Sequence, residues 1–167
     1  MKALIVSDSH GLTSELKNLK QQYEQEVDVM IHCGDSELSI QETDGFEIVR
    51  GNCDYETSYP NDIVTEVEGI RLFITHGHRY NVKMTLQNVL YKARECQAQV
   101  VCFGHSHIMG AEVVAGTLLI NPGSIALPRM RKEKTYVLLE IETNVATVQF
   151  LDLEGNVVVK RELSLNE

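Results

Sequence analysis

The chain has 167 residues, 43% of them apolar and 23% charged, with a formal net charge of −9 and a pI near 5.1. That length supplies one hydrophobic core without disulfides or a structural metal, and predicts a single domain over residues 1–167. An acidic surface argues against a stable complex with long nucleic acid, which is gripped through lysine and arginine, and no stretch approaches the ~20 apolar residues of a membrane-spanning helix.

Lys2–Val6 (KALIV) is a short, β-branched apolar run closed by a Ser/Asp/Gly cluster and predicts a buried strand. Leu12, Leu16, Leu19 and Tyr23 then recur at helical spacing on one face. VDVMIHC and FEIVR predict a second and third strand, and DIVTEVEG with IRLFITH predicts a hairpin turning near Gly69. Asn81 is placed to cap a second helix whose face carries Val82, Leu86, Leu90 and Ala93. AQVVCF reads as a further strand, and AEVVAGTLLIN as two strands around a Gly116–Thr117 turn. From Thr135 onward the pattern alternates apolar and polar, with turns at Thr143–Asn144 and Glu154–Gly155–Asn156. This predicts an antiparallel meander with one wet face. Strand–helix alternation followed by strands alone points to a layered α/β fold with packed sheets and outer helices. The four cysteines include no C-x-x-C pair, and Cys33 and Cys102 lie in apolar runs. The expectation is a reducing, cytoplasmic setting, with no signal peptide in the short apolar start.

The chemistry collects at strand ends. Six apolar runs each close in a polar burst beside glycine: Ser7-Asp8-Ser9-His10, Gly34-Asp35, Gly51-Asn52-Cys53-Asp54, His76-Gly77-His78, Gly104-His105-Ser106-His107 and Asn121-Pro122-Gly123-Ser124. The carboxyl ends of strands are where α/β sheets build sites. Five of the six histidines fall in these bursts, and two i,i+2 histidine pairs occur where composition alone gives about 0.2. Singly, each histidine reads as an ordinary hydrogen-bonded residue, and His32, inside VMIHC, keeps that reading. Together, Asp8, His10, Asp35, Asn52, His76, His105 and His107 form a donor set for borderline or hard divalent ions. Seven donors exceed what one ion with an open position takes. They suit two ions roughly 3.5–4 Å apart sharing one carboxylate, and Asp35, alone at its strand end, is the natural bridge. Two dications against two carboxylates and a shared hydroxide leave about +1, which attracts a phosphate. A water between the ions becomes a nucleophile for in-line attack at phosphorus. Manganese is taken first, with iron, zinc or nickel as alternatives, because an N/O donor set does not name its metal.

DSH at 8–10, GD at 34–35, GNCD at 51–54, HGH at 76–78 and GHSH at 104–107 stand in the order found in the calcineurin-like metallophosphoesterases, and the chain resembles that family over Lys2 to about Ser124. GNCD, NPGS and the short length are most similar to its small YfcE-like phosphodiesterase branch. The resemblance implies a four-layer αββα fold, a β-sandwich flanked by helices with metals at its loop-bearing edge. It implies Asp8, His10, Asp35 and His107 at one ion, and Asp35, Asn52, His76 and His105 at the other. The two histidines of GHSH then serve different ions, as side chains pointing the same way along an extended segment. Asn52, Cys53 and His78 are the candidate substrate contacts.

Many relatives carry His where this chain has Cys53, and that His is thought to protonate the leaving group. A neutral thiol is a poor acid near pH 7, so aryl esters are the expected substrates unless Cys53 merely packs. Asp54 is expected to steady its own turn, Asn121–Ser124 to close near the site, and Arg129–Lys134 to be a solvated basic loop. A small phosphodiester is the expected substrate, and sheet edges offer a route to a homo-oligomer. The alternatives are a protein-binding scaffold, since the fold is similar to that of a retromer subunit, and a nuclease on short oligonucleotides.

Overall fold

The computed structural model describes residues 1–166. The N-terminal strand β1 (Lys2–Val6) lies in the middle of a six-stranded sheet, parallel on one side to β2 (Val29–His32), which pairs in turn with β3 (Glu47–Ile48). On its other side β1 runs antiparallel to β9 (Thr135–Glu142), with Lys2 opposite Glu140, and β10 (Val145–Asp152) and β11 (Val157–Ser164) continue as the anticipated meander. The second sheet orders β4 (Asp62–Val67), β5 (Ile70–Thr75), β6 (Val100–Cys102), β8 (Thr117–Asn121) and β7 (Gly110–Val114). Within it β5, β6 and β8 are parallel, so their carboxyl ends emerge together.

Period-two geometry explains the layering. Ala3 and Ile5 face inward and join Leu72, Ile74, Val100, Ile120 and Val137 between the sheets. Leu4 and Val6, pointing the other way, meet Leu16, Leu19 and Tyr23 of α1 (Thr13–Tyr23). Phe73, Val101 and Leu119 turn outward from the second sheet onto Val89, Leu90 and Ala93 of α2 (Gln87–Glu95). Helix, sheet, sheet and helix thus make the αββα stack. Neither helix has a side-chain N-cap, and 11 and 9 residues are too few for a stable isolated helix. Packing of these apolar faces therefore supplies most of their stability.

Three local expectations need correction. Asn81 does not cap a helix. It sits at φ 56° after a 3-10 turn over His78–Tyr80, and its carbonyl accepts from the N–H groups of Met84 and Thr85. Val82 is buried against Gly77, where a β-carbon would meet its Cγ2 at 2.7 Å, and α2 begins only at Gln87. The FEIVR run pairs only at Glu47–Ile48, because the chain then turns away toward Gly51. The β7–β8 turn is Ala115–Gly116, at φ 49° and 77°, with Thr117 already in the strand. Such paired left-handed residues match the twist of a hairpin, and Glu68–Gly69 does the same between β4 and β5.

Candidate metal centre

The polar bursts following β1, β2, β3, β5 and β6 converge at one edge of the sandwich. Backbone bonds stitch the loops together: Asp8 N–H donates to Gly34 O at 3.0 Å, His10 N–H to Asp35 O at 3.0 Å, and Gly104 N–H to His76 O at 3.1 Å. Glycine permits this closeness. A β-carbon on Gly104 would overlap Ser7 Oγ and Asp8 Oδ2, and one on Gly51 would overlap Asp35 Oδ1.

All seven sequence-derived donors are brought together. Three groups have ligand atoms within 4.8 Å of one another: Asp8, His10 and His107; Asp35, His76 and His105; and His10, Asp35 and Cys53. Asp35 falls in two of these groups, and Asn52 Oδ1 stands 3.1 Å from His76 Nε2. The backbone that presents them departs from expectation. GHSH is not extended: His105 and His107 sit at φ 69° and 60°, and Asp8, His10 and Asp35 at 52°, 42° and 56°. Left-handed backbone costs a side-chain-bearing residue of the order of 1 kcal/mol. Five donors hold that conformation because the surrounding hydrogen bonds leave the loops no other path.

Protons show what the site is built to hold. His76 Nδ1–H donates to Cys33 O at 2.7 Å, and His107 Nδ1–H to Leu127 O at 2.7 Å. A carbonyl only accepts, so both rings carry hydrogen on Nδ1, and neutral rings then present lone pairs at Nε2. His10 Nδ1 lies 2.9 Å from Glu37 Oε2, which sets the same tautomer. The three Nε2 atoms face further acceptors: His10 and His107 face each other at 3.4 Å, and His76 faces Asp35 Oδ2 at 3.2 Å. Asp8 Oδ1 is buried 3.2 Å from His107 Nε2, with no other close partner among the described residues. A convergence of lone pairs requires positive charge in its midst, and buried carboxylate with imidazole is a fitting donor chemistry for a divalent cation. The Nδ1 partners are the outer contacts that orient metal-binding histidines.

Charge at these groups follows from the same contacts. Burial opposes ionisation of Asp8 and Asp35, but His107 and His76 outweigh it, and both carboxyls stay below the ordinary range. Burial pushes His76 down, yet Asp35 and Asp8 carry it above the usual imidazole value. His105 lacks such a partner, and burial followed by the charge of His76 lowers it to about 4.

Cys53 is exposed beside Asp35, and burial of its sulfur together with that carboxylate raises the thiol to about 11. Its backbone N–H donates to Asp35 Oδ1 at 2.8 Å. His78 lies in the 3-10 turn with its ring centroid 5.3 Å from His76 and 6.0 Å from His105, outside the donor groups. Its Nδ1 is buried with no partner among the described residues, and burial then His76 lower its pKa.

Asp54 does more than steady its own turn. It accepts from the N–H groups of Asp35 and Gly51 on Oδ2, at 2.9 and 2.7 Å, and of Glu37 on Oδ1 at 2.7 Å. His32 is satisfied in the core: Nδ1 accepts from Gly34 N–H at 3.1 Å, leaving Nε2–H to donate to Ser9 Oγ at 2.7 Å. Asn121 donates to Gly104 O and Ser106 Oγ, and Ser124 Oγ donates to Asp8 O, so the NPGS turn closes against the site. Glu37 escaped sequence reasoning. Only its place two residues after Asp35, echoing the spacing of Asp8 and His10, could have flagged it.

Residues 1–144 match the model of the calcineurin-like phosphoesterase superfamily domain. A probable metallophosphoesterase of Bacillus subtilis, YsnB, is 48% identical over 158 residues, which cover 93% of this chain and 94% of that protein. The phosphodiesterase MJ0936 of Methanocaldococcus jannaschii is 31% identical over 145 residues, covering 74% and 83%. Among solved structures, a conserved predicted phosphoesterase from Streptococcus pneumoniae superposes with TM-score 0.94 at 33% identity, covering 98% of this chain and 97% of that one. Sequence match, fold and donor constellation agree: the chain belongs to the calcineurin-like phosphoesterase superfamily and is a metal-dependent phosphoesterase, a hydrolase.

Proposed function

We propose that the protein is a phosphodiesterase acting on small phosphodiesters with two divalent cations, manganese foremost. The observation that carries this reading is the cluster around Asp8 Oδ1, where the Nε2 atoms of His10, His76 and His107 stand 3.9, 3.8 and 3.2 Å away and Asp35 Oδ2 lies 3.2 Å from His76 Nε2. Asp8, His10, Asp35 and His107 would hold one ion, and Asp35, Asn52, His76 and His105 the other. When bound, the ions supply Lewis-acid charge and lower the pKa of a water between them.

The chain's own residues orient and screen. The carbonyls of Cys33 and Leu127 fix the ring orientation of His76 and His107, so no reorganisation is needed when charge develops. Asn52 is exposed at the mouth, and its Nδ2–H reaches outward to Cys53 Sγ at 3.5 Å, a weak bond that a phosphate oxygen can replace. Cys53, a neutral thiol near pH 7, gives little help to a basic leaving group. His78, neutral and next to His76, is no stronger an acid.

Manganese-loaded protein is expected to cleave bis(p-nitrophenyl) phosphate and to leave a single-stranded oligonucleotide intact. A dialkyl phosphate of matched size should turn over far more slowly, and Cys53→His should narrow that gap. Metal analysis should find about two ions per chain. Inactivity on every ester after manganese loading would shift the reading to a protein-binding scaffold, and cleavage of the oligonucleotide alone to a nuclease.

A further inference from the structure

The segment between β5 and α2 brings Val82 and Leu86 onto the outer face of the second sheet, beside Phe103 and Leu119. A cavity of about 560 Å³ opens there, in the size range of small-molecule sites. Phe103 and Leu119 form its floor, and Leu86 and Met109 its walls. Lys83, Arg129 and Arg161 lie along it, against one carboxylate, Glu112, in a chain whose net charge is −9. Arg161 is tied to Ala111 O at 2.7 Å. Lys83 and Arg129 are exposed and enter no salt bridge among the described residues.

The cavity borders the metal centre. Ser106 lines it while its neighbours His105 and His107 face the donor groups, so a single loop separates the two spaces. Arg129 N–H donates to His107 O at 3.0 Å, which ties its segment to that loop, and Lys83 lines the same cavity. An apolar floor with two free cations suits a flat apolar body carrying an anion. The lone carboxylate distinguishes an aromatic base from an acyl chain, because a ring amino group can donate to Glu112 and an acyl chain has no donor to offer.

We propose that this cavity binds a mononucleotide-type group, an amino-bearing aromatic ring with a phosphate, and seats the part of a diester remote from the phosphorus under attack. The catalytic half of that statement rests on the phosphodiesterase reading; the binding half does not. Calorimetric titration of the manganese-loaded protein with AMP, inorganic phosphate and octyl phosphate tests it. Inorganic phosphate reports on the metal centre alone, and AMP is expected to bind at least about tenfold more tightly. Lys83→Glu with Arg129→Glu should weaken AMP about tenfold and leave inorganic phosphate unchanged. Leu86→Trp, which fills the cavity, should do the same. IMP, which presents a carbonyl where AMP has its amino group, should bind less well than AMP. AMP affinity equal to that of inorganic phosphate, equal losses for both ligands in the variants, or tighter binding of octyl phosphate would overturn the proposal. Hydrolysis of bis(p-nitrophenyl) phosphate by the same samples is read separately. Its absence would count against phosphodiesterase activity and leave the binding result standing.

Discussion

The two halves of the donor constellation are anchored differently. His76 is fully buried, its Nδ1–H given to a core carbonyl, and the neighbouring Asp35 loop is clamped by Asp54. His10 and His107 lean instead on the periphery, on the partly exposed Glu37 carboxylate and on the carbonyl of exposed Leu127. The deep half is fixed by the fold, whereas the outer half depends on surface loops that open more readily. An ion held by Asp8, His10 and His107 should therefore exchange faster than one held by Asp35, His76 and His105.

The largest effect should come from the residue common to both halves. Asp35→Asn should lower kcat/KM about a thousandfold, roughly 4 kcal/mol, and metal analysis should show fewer than two ions. Full occupancy in that variant would break the idea of a shared carboxylate. Asp54→Ala comes next. It strips the acceptor from three backbone N–H groups, a loss of about 3 kcal/mol or more, read as a lower urea midpoint. The deep half should suffer first.

His32 underlies both halves, touching Ser9 on one side and Gly34 on the other. Burial lowers its pKa to about 4, so the folded protein resists a proton that the unfolded chain accepts near 6.5. Stability is then full above pH 6.5 and falls as pH drops toward 4, by at most about 3 kcal/mol. Urea unfolding of wild type and His32→Gln across that window should show a steeper slope in wild type; parallel curves would remove His32 as its source. The smallest effect should be that of Glu37→Gln, about tenfold in affinity for a single ion. Equal weakening of both ions would erase the distinction between the halves.

The donors were legible in the sequence because polar residues beside glycine, at the ends of apolar strands, have few other reasons to be there. Asp8, Asp35, His76 and the GHSH pair all carried that mark. The manner of their presentation was not legible. Left-handed backbone at His105 and His107 is imposed by contacts with Asp8, Asn121 and Arg129 from elsewhere in the chain, for example His105 N–H to Asp8 Oδ2 at 3.1 Å. Local sequence holds no record of such bonds. Asn81 misled for a related reason: the residue types that cap helices also tolerate positive φ, and only the packing of Val82 against Gly77 decides between the two. Glu37 left only its spacing from Asp35, too faint a mark for one carboxylate in an acidic chain.

The pairing of β1 with β9 carries a consequence for how the protein is made. Lys2 finds Glu140 across the sheet, so β1 waits for a strand synthesised more than ten seconds after it at ~10 residues per second. All seven donors have by then emerged, but the sheet that positions Asp8 lacks a neighbour on one side. A nascent chain halted near residue 130 should accordingly engage chaperones or aggregate, and gain protease resistance only once the meander is released.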